Sequence, residues 1–115
     1  MSRYSFTKES RLLTPDQFSF VFDKASKITS NNILILLRPN NLDHARIGFV
    51  FSKKKIKLSI QRNRIRRICR ESFRLHNISL KGFDLVVLPK HGISKLSNEE
   101  LWKELNYLWE KSITL

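Results

Sequence analysis

Apolar positions along this chain alternate between the helical and the extended rhythm. Phe18, Val21, Phe22 and Ala25 recur at i, i+3, i+4 and i+7, which makes one face of a helix, while Phe20 points elsewhere. Thr14-Pro15-Asp16-Gln17 supplies its start: Thr14 caps, Pro15 suits the first helical position, and Gln17 completes a capping box. Ile33 to Leu37 is an unbroken aliphatic run of strand length, closed by the turn residues Arg38-Pro39-Asn40-Asn41. Ile47-Gly48-Phe49-Val50-Phe51 and Phe83-Asp84-Leu85-Val86-Val87-Leu88 read as two further strands, the second ended by Pro89. Ser97-Asn98-Glu99-Glu100 is another capping box, and Leu101, Leu105 and Leu108 form the stripe of a last helix, with Trp102 and Trp109 as core fillers.

Between the second and third of these strands, a helix is expected from about Ser59 to His76. At about 100° per residue, Ile65, Ile68, Cys69 and Ser72 share one face, narrow enough to pack on a sheet. Asn63, Arg66, Arg67, Arg70 and Arg74 fall within about 100° of one another on the opposite side, and Arg62 and Arg64 flank the first turns. The helix therefore has a dry side for the fold and a guanidinium ladder for solvent or a partner.

Composition sharpens that contrast. The chain has 115 residues, 41% of them hydrophobic, enough for one domain spanning 1–115 with a real core. Its net charge is +12. Residues 53–74 hold ten Lys or Arg and a single acid, Glu71, so that +9 of the +12 lies on one loop and one helix. Concentrated like charge repels itself unless a polyanion screens it, which points to nucleic acid. Arginine adds geometry to charge, because its planar fork binds phosphate through two parallel hydrogen bonds and stacks on bases.

Other chemistries find little support. A single cysteine, Cys69, excludes an internal disulfide and any multi-cysteine zinc site, and on the dry face it reads as inert. The longest aliphatic run is far short of the roughly 20 residues of a membrane helix, and the N-terminal residues lack the apolar stretch of a secretory signal. The expected setting is the cytoplasm, with no membrane association. His44, His76 and His91 have no catalytic spacing with one another, and Glu99, Glu100, Glu104 and Glu110 read as a helix start and a solvated face. Neither a catalytic residue nor a metal site of the protein's own is expected.

Taken together, Ser52-Lys53-Lys54, a seven-residue spacer, Arg62-Asn63-Arg64-Ile65-Arg66-Arg67 and Arg70-Glu71-Ser72-Phe73-Arg74 closely resemble the bacterial ribonuclease P protein component. Arg11-Leu12, Phe18 with Phe22, Arg46-Ile47-Gly48-Phe49-Val50 and Asp84-Leu85-Val86-Val87 with Lys90 extend the likeness over about residues 9 to 110. The resemblance implies an α+β fold: a two-layer α/β sandwich in the order αβββαβα, like the second domain of ribosomal protein S5. Its four-stranded sheet has a left-handed βαβ crossover, against the usual hand, and needs an additional strand around Ser26 to Ser30.

The resemblance also implies a non-catalytic protein subunit of an endoribonuclease. Such a subunit joins a catalytic RNA that uses Mg²⁺ to remove the 5′ leader of precursor tRNA, with no obligate protein partner. Lys53, Lys54, Arg62, Asn63, Arg64, Arg66, Arg67, Arg70 and Arg74 are then the RNA-binding residues. Phe18 and Phe22, with Arg11, Arg46 and Lys90, line the cleft for the leader. Such a cleft suits a substrate of variable sequence, because backbone charge and base stacking tolerate any base. Two other classes account for part of the pattern: a ribosomal or other structural RNA-binding protein, which explains charge and size but not the ordered motifs, and a stand-alone nuclease.

Overall fold

The computed structural model describes residues 10–114. The segment 1–9, in which no signal was expected, lies outside the described residues. The chain forms α1 (Pro15–Asp23), β1 (Ser26–Thr29), β2 (Ile33–Pro39), β3 (Arg46–Phe49), α2 (Ser59–His76), β4 (Phe83–Pro89), a 3₁₀ turn (Ile93–Lys95) and α3 (Asn98–Ile113). The sheet order is β1-β2-β4-β3, with β2 antiparallel to both β1 and β4 and β3 parallel to β4. α2 is the crossover that a parallel pair requires.

Both expected capping boxes are formed. Thr14 Oγ1 accepts from Gln17 N at 3.2 Å and Ser97 Oγ from Glu100 N at 3.1 Å, each repaid by the side chain three residues on. β1 is the strand that the resemblance required. Its pattern is faint because only Ile28 of its four residues is buried. β2 runs two residues further than its aliphatic core, because Arg38 and Pro39 find partners in Asp84 and Phe83 of β4. The turn starts at Asn40, and Asn41 adopts φ 60°. β3 is shorter than its apolar run: the ladder ends at Phe49, although Val50 N still donates to Val87 O at 3.1 Å.

Alternation divides the sheet between two cores. Ile28, Ile33, Ile35, Leu37, Ile47, Leu85 and Val87 face α2 and α3, meeting Ile65, Phe73, Leu101, Leu105, Leu108 and Trp109. The other face carries Leu36 and Val86 beneath Leu12, Val21 and Phe18. Here Gly48 is required by close approach, since a Cβ would sit 2.5 Å from Phe18 Cζ. The first core is broad and closed; the second is small, and α1 covers it incompletely.

Candidate nucleic-acid interface

The orientation of α2 is set from its dry side. Ile65, Ile68, Cys69, Ser72 and Phe73 are buried. Trp109 Nε1 donates to Ser72 Oγ at 2.7 Å, and the Trp109 and Phe73 rings meet edge to face at 6.1 Å. A buried hydroxyl and indole that satisfy each other fix the rotation of α2 against α3. Burial pushes the Cys69 thiol up to about 12, with nearby Arg66 pulling the other way, so the sulfur stays protonated and unreactive near neutral pH.

That rotation turns the ladder outward. Asn63, Arg67 and Arg70 are exposed, and Arg66 and Arg74 are half-buried. The Arg66 guanidinium lies 5.4 Å from the centre of the Phe51 ring and donates to Asn63 Oδ1 at 3.3 Å; that of Arg70 lies 5.9 Å from Phe49. A backbone bond from Leu12 N to Ile47 O (3.0 Å) brings Arg11 alongside β3. Arg11, Arg66 and Arg70 then border a groove of about 250 Å³ floored by Phe18, Gly48 and Phe49. Burial and the neighbouring charges of Arg66 and Arg11 pull the Arg70 pKa below its usual value. Among the described residues, the charged side chains lining this groove are these three arginines. A polyanion would relieve the repulsion, and aromatic rings suit bases as stacking partners.

Lys53 and Lys54 stand exposed on the loop between β3 and α2, which is anchored by buried Ile56. Other basic residues picked out by sequence are engaged within the fold. Arg62 donates to the carbonyls of Ile56 and Lys57, and Arg64 to Gln61, Asn98, Ser94 and Leu96. Arg46, placed by resemblance in the leader cleft, is a bidentate partner of fully buried Asp84 at 2.8 and 2.6 Å, with Asn40 Nδ2 as a further donor at 2.8 Å. The hydrogen-bonded carboxylate raises the Arg46 pKa. Lys90 Nζ donates to Ser30 O at 2.9 Å and so ties β4 to the β1–β2 turn. Phe18 is half-buried over Gly48, whereas Phe22 is 48% exposed and available as a platform.

Sequence reasoning missed several participants. Phe49 and Phe51 sit under Arg70 and Arg66, and the signal was an aromatic pair just before the lysine run. Phe20, set aside as pointing elsewhere, lies 3.8 Å beneath the Arg38 guanidinium, which donates to Phe20 O at 2.5 Å. Only pairing with β4 puts Arg38 on that face. Among the described residues no three His, Cys, Asp or Glu side chains are grouped to hold a metal. No helix there is long and apolar enough to cross a membrane.

A family model described as Ribonuclease P matches residues 6–112. The chain belongs to the ribonuclease P protein family. It is 48% identical to the ribonuclease P protein component of Stutzerimonas stutzeri over 96% of this chain and 85% of that one. To the Vibrio cholerae component it is again 48% identical, over 96% of this chain and 94% of that one. The Thermotoga maritima ribonuclease P protein superposes with TM-score 0.74 at 29% identity, covering 87% of this chain and 96% of that one. The Staphylococcus aureus protein shares the fold, with TM-score 0.83 at 21% identity over 90% and 94% of the two chains. As a ribonuclease P protein, this chain is the protein subunit of an endoribonuclease.

Proposed function

We propose that this subunit binds a catalytic RNA and the single-stranded 5′ leader of precursor tRNA, and that the RNA carries out the cleavage. The observation that carries this reading is the clustering of Arg11, Arg66 and Arg70 around one groove beside the Phe49 ring, on the same helix side as the exposed Arg67. Guanidinium groups neutralise phosphate, and each stacked base adds roughly 1–3 kcal/mol without regard to sequence. The exposed Phe22 and the open part of the α1 face suit the leader, and the outward side of α2 suits the larger RNA.

The protein contributes charge and shape in place of a reactive group. In this reading hydrolytic and endonucleolytic chemistry belongs to the RNA, with Mg²⁺ bound mainly there, as the family resemblance implies. Neutralising the RNA lowers the Mg²⁺ concentration at which RNA surfaces approach one another. The proposed setting is the cytoplasm, with no protein partner required. Reconstitution tests this. Added to ribonuclease P RNA at low Mg²⁺, the protein should restore cleavage of precursor tRNA at the leader junction. Cleavage by the protein with Mg²⁺ alone would overturn the division of labour, and recovery from cells chiefly with ribosomal RNA would overturn the assignment of partner.

A further inference from the structure

α1 is nine residues long, too short to hold its shape by itself, and its two ends are treated differently. The capping box of Thr14 and Gln17 closes the N-terminus, whereas the last turn holds no basic residue and ends on Asp23, an acid at the negative end of the helix dipole. The missing cation arrives from the sheet. Arg38 stands two residues beyond Leu36 in β2, so both side chains lie on the face that α1 covers. Its Nη1 donates at 2.5 Å to Phe20 O, in the last turn, where a helix leaves its carbonyls without intrahelical partners. The same nitrogen lies 3.8 Å from Asp23 Oδ2, and the guanidinium carbon lies 3.8 Å from the centre of the Phe20 ring. One planar fork from β2 thus caps α1 from outside.

Little else fixes the rotation of α1. Val21 is its one buried side chain among the described residues, and the core beneath it is small. Phe20 lies about 200° round the helix from both Phe18 and Phe22. With Phe20 seated under Arg38, Phe18 comes down over Gly48 and Phe22 is left 48% exposed. Arg38 itself is poorly placed to meet a phosphate. Its side chain is only 23% exposed, and its charge is turned toward a carbonyl, a ring and a carboxylate of α1.

We propose that Arg38 is a positioning residue. By capping α1 and clamping Phe20, it fixes the rotation at which Phe22 is presented to the single-stranded leader of precursor tRNA. This rests on the reading of the α1 face as the leader site, and it assigns that site a residue that acts without touching the RNA.

The test is binding of leader-bearing precursor tRNA, and of mature tRNA, to full-length protein assembled with ribonuclease P RNA, across a salt series. Arg38→Met should weaken the leader-bearing substrate about tenfold, the loss of one weakly stacked base. Affinity for mature tRNA and the slope of log K against log salt should stay as in wild type. Hydrogen exchange of the α1 amides should quicken. Arg38→Lys should weaken leader binding in the same direction, since an ammonium keeps the charge but not the planar fork. Phe20→Leu removes the ring without changing any charge and should do likewise. Phe22→Ala should match Arg38→Met, and combining the two should add nothing, because both act through one contact. A lowered salt slope for Arg38→Met would mark a phosphate contact and overturn the proposal. Full affinity in Arg38→Lys, or losses that add in the double variant, would do the same. If Arg38→Met does not fold, Arg38→Lys and Phe20→Leu, each alone and with Phe22→Ala, decide in its place. Full leader affinity in Phe22→Ala, or a wild-type complex that bound both tRNAs alike, would overturn the leader reading itself, and this inference with it.

Discussion

Arg64 and Arg67 stand three residues apart on one helix, with the same side chain and opposite employment. Arg64 is saturated by acceptors on neighbouring segments, whereas Arg67 projects into solvent beside exposed Arg70. Arg46 extends the contrast into the sheet, where it is locked to a buried carboxylate. The difference lies in the acceptors. Where free carbonyls or a buried acid come within reach, a guanidinium fork works as an internal bracket. On the outward side of α2, the Arg67 fork is exposed to solvent. A count of arginines therefore overstates the outward-facing charge, and position relative to unsatisfied acceptors divides internal bracket from exposed side chain.

The sharpest way to break this division is at Asp84. Asp84→Ala leaves Arg46 and Asn40 without their common acceptor and should cost about 4 kcal/mol in stability, read from the denaturant midpoint. Adding Arg46→Met should recover much of that loss, because the pair then gives way to packing. On the outward side, Arg67→Ala with Arg70→Ala should weaken binding to ribonuclease P RNA by roughly 3 kcal/mol at low salt, if each charged contact is worth about 1.5 kcal/mol. Its melting temperature should stay close to wild type. Equal losses of stability and affinity would erase the distinction between the two groups.

A smaller effect is expected at Gly48, on the strand that carries Arg46. Gly48→Ala drives a Cβ into the Phe18 ring and should cost about 2 kcal/mol, with a shift of α1 visible as faster exchange of its amides. The smallest concerns Cys69 on the dry face of α2. Its folded pKa of about 12 lies above the ordinary 9.0. Its contribution to stability is therefore complete below pH 9 and is lost as pH rises toward 12, because the unfolded thiol ionises first. Cys69→Ala should flatten that decline in a pH-dependent melting series. Thiol alkylation near neutral pH should stay slow in the outward arginine variants if α2 remains docked.

Much of the fold was legible because its signals are local. The capping boxes at Thr14 and Ser97, the 3.6-residue rhythm of Ile65, Ile68, Cys69 and Ser72, and the aliphatic run from Ile33 each depend on residues close in sequence. β1 showed no pattern of its own, since a four-residue edge strand with one buried side chain is made by its partner β2. The outward placement of Arg67 and Arg70 followed from helical angle alone. The internal engagement of Arg62 and Arg64 did not, because their acceptors lie in irregular segments whose approach no periodicity encodes. Asp84 in an apolar strand was a readable sign that a buried acid needs a donor, but it did not say which one.

The amino-acid sequence by itself determined that nine of the twelve net charges sit on one loop and one helix, that this helix has a dry side, and that the ordered motifs belong to ribonuclease P proteins. Tertiary structure alone decided which of those charges remain available. Hydrogen-bond acceptors from β4, the β3–α2 loop, the turn at 93–95, α3 and the β1–β2 turn converge on Arg46, Arg62, Arg64 and Lys90 only after the chain has folded, and a donor is spent wherever an acceptor arrives first.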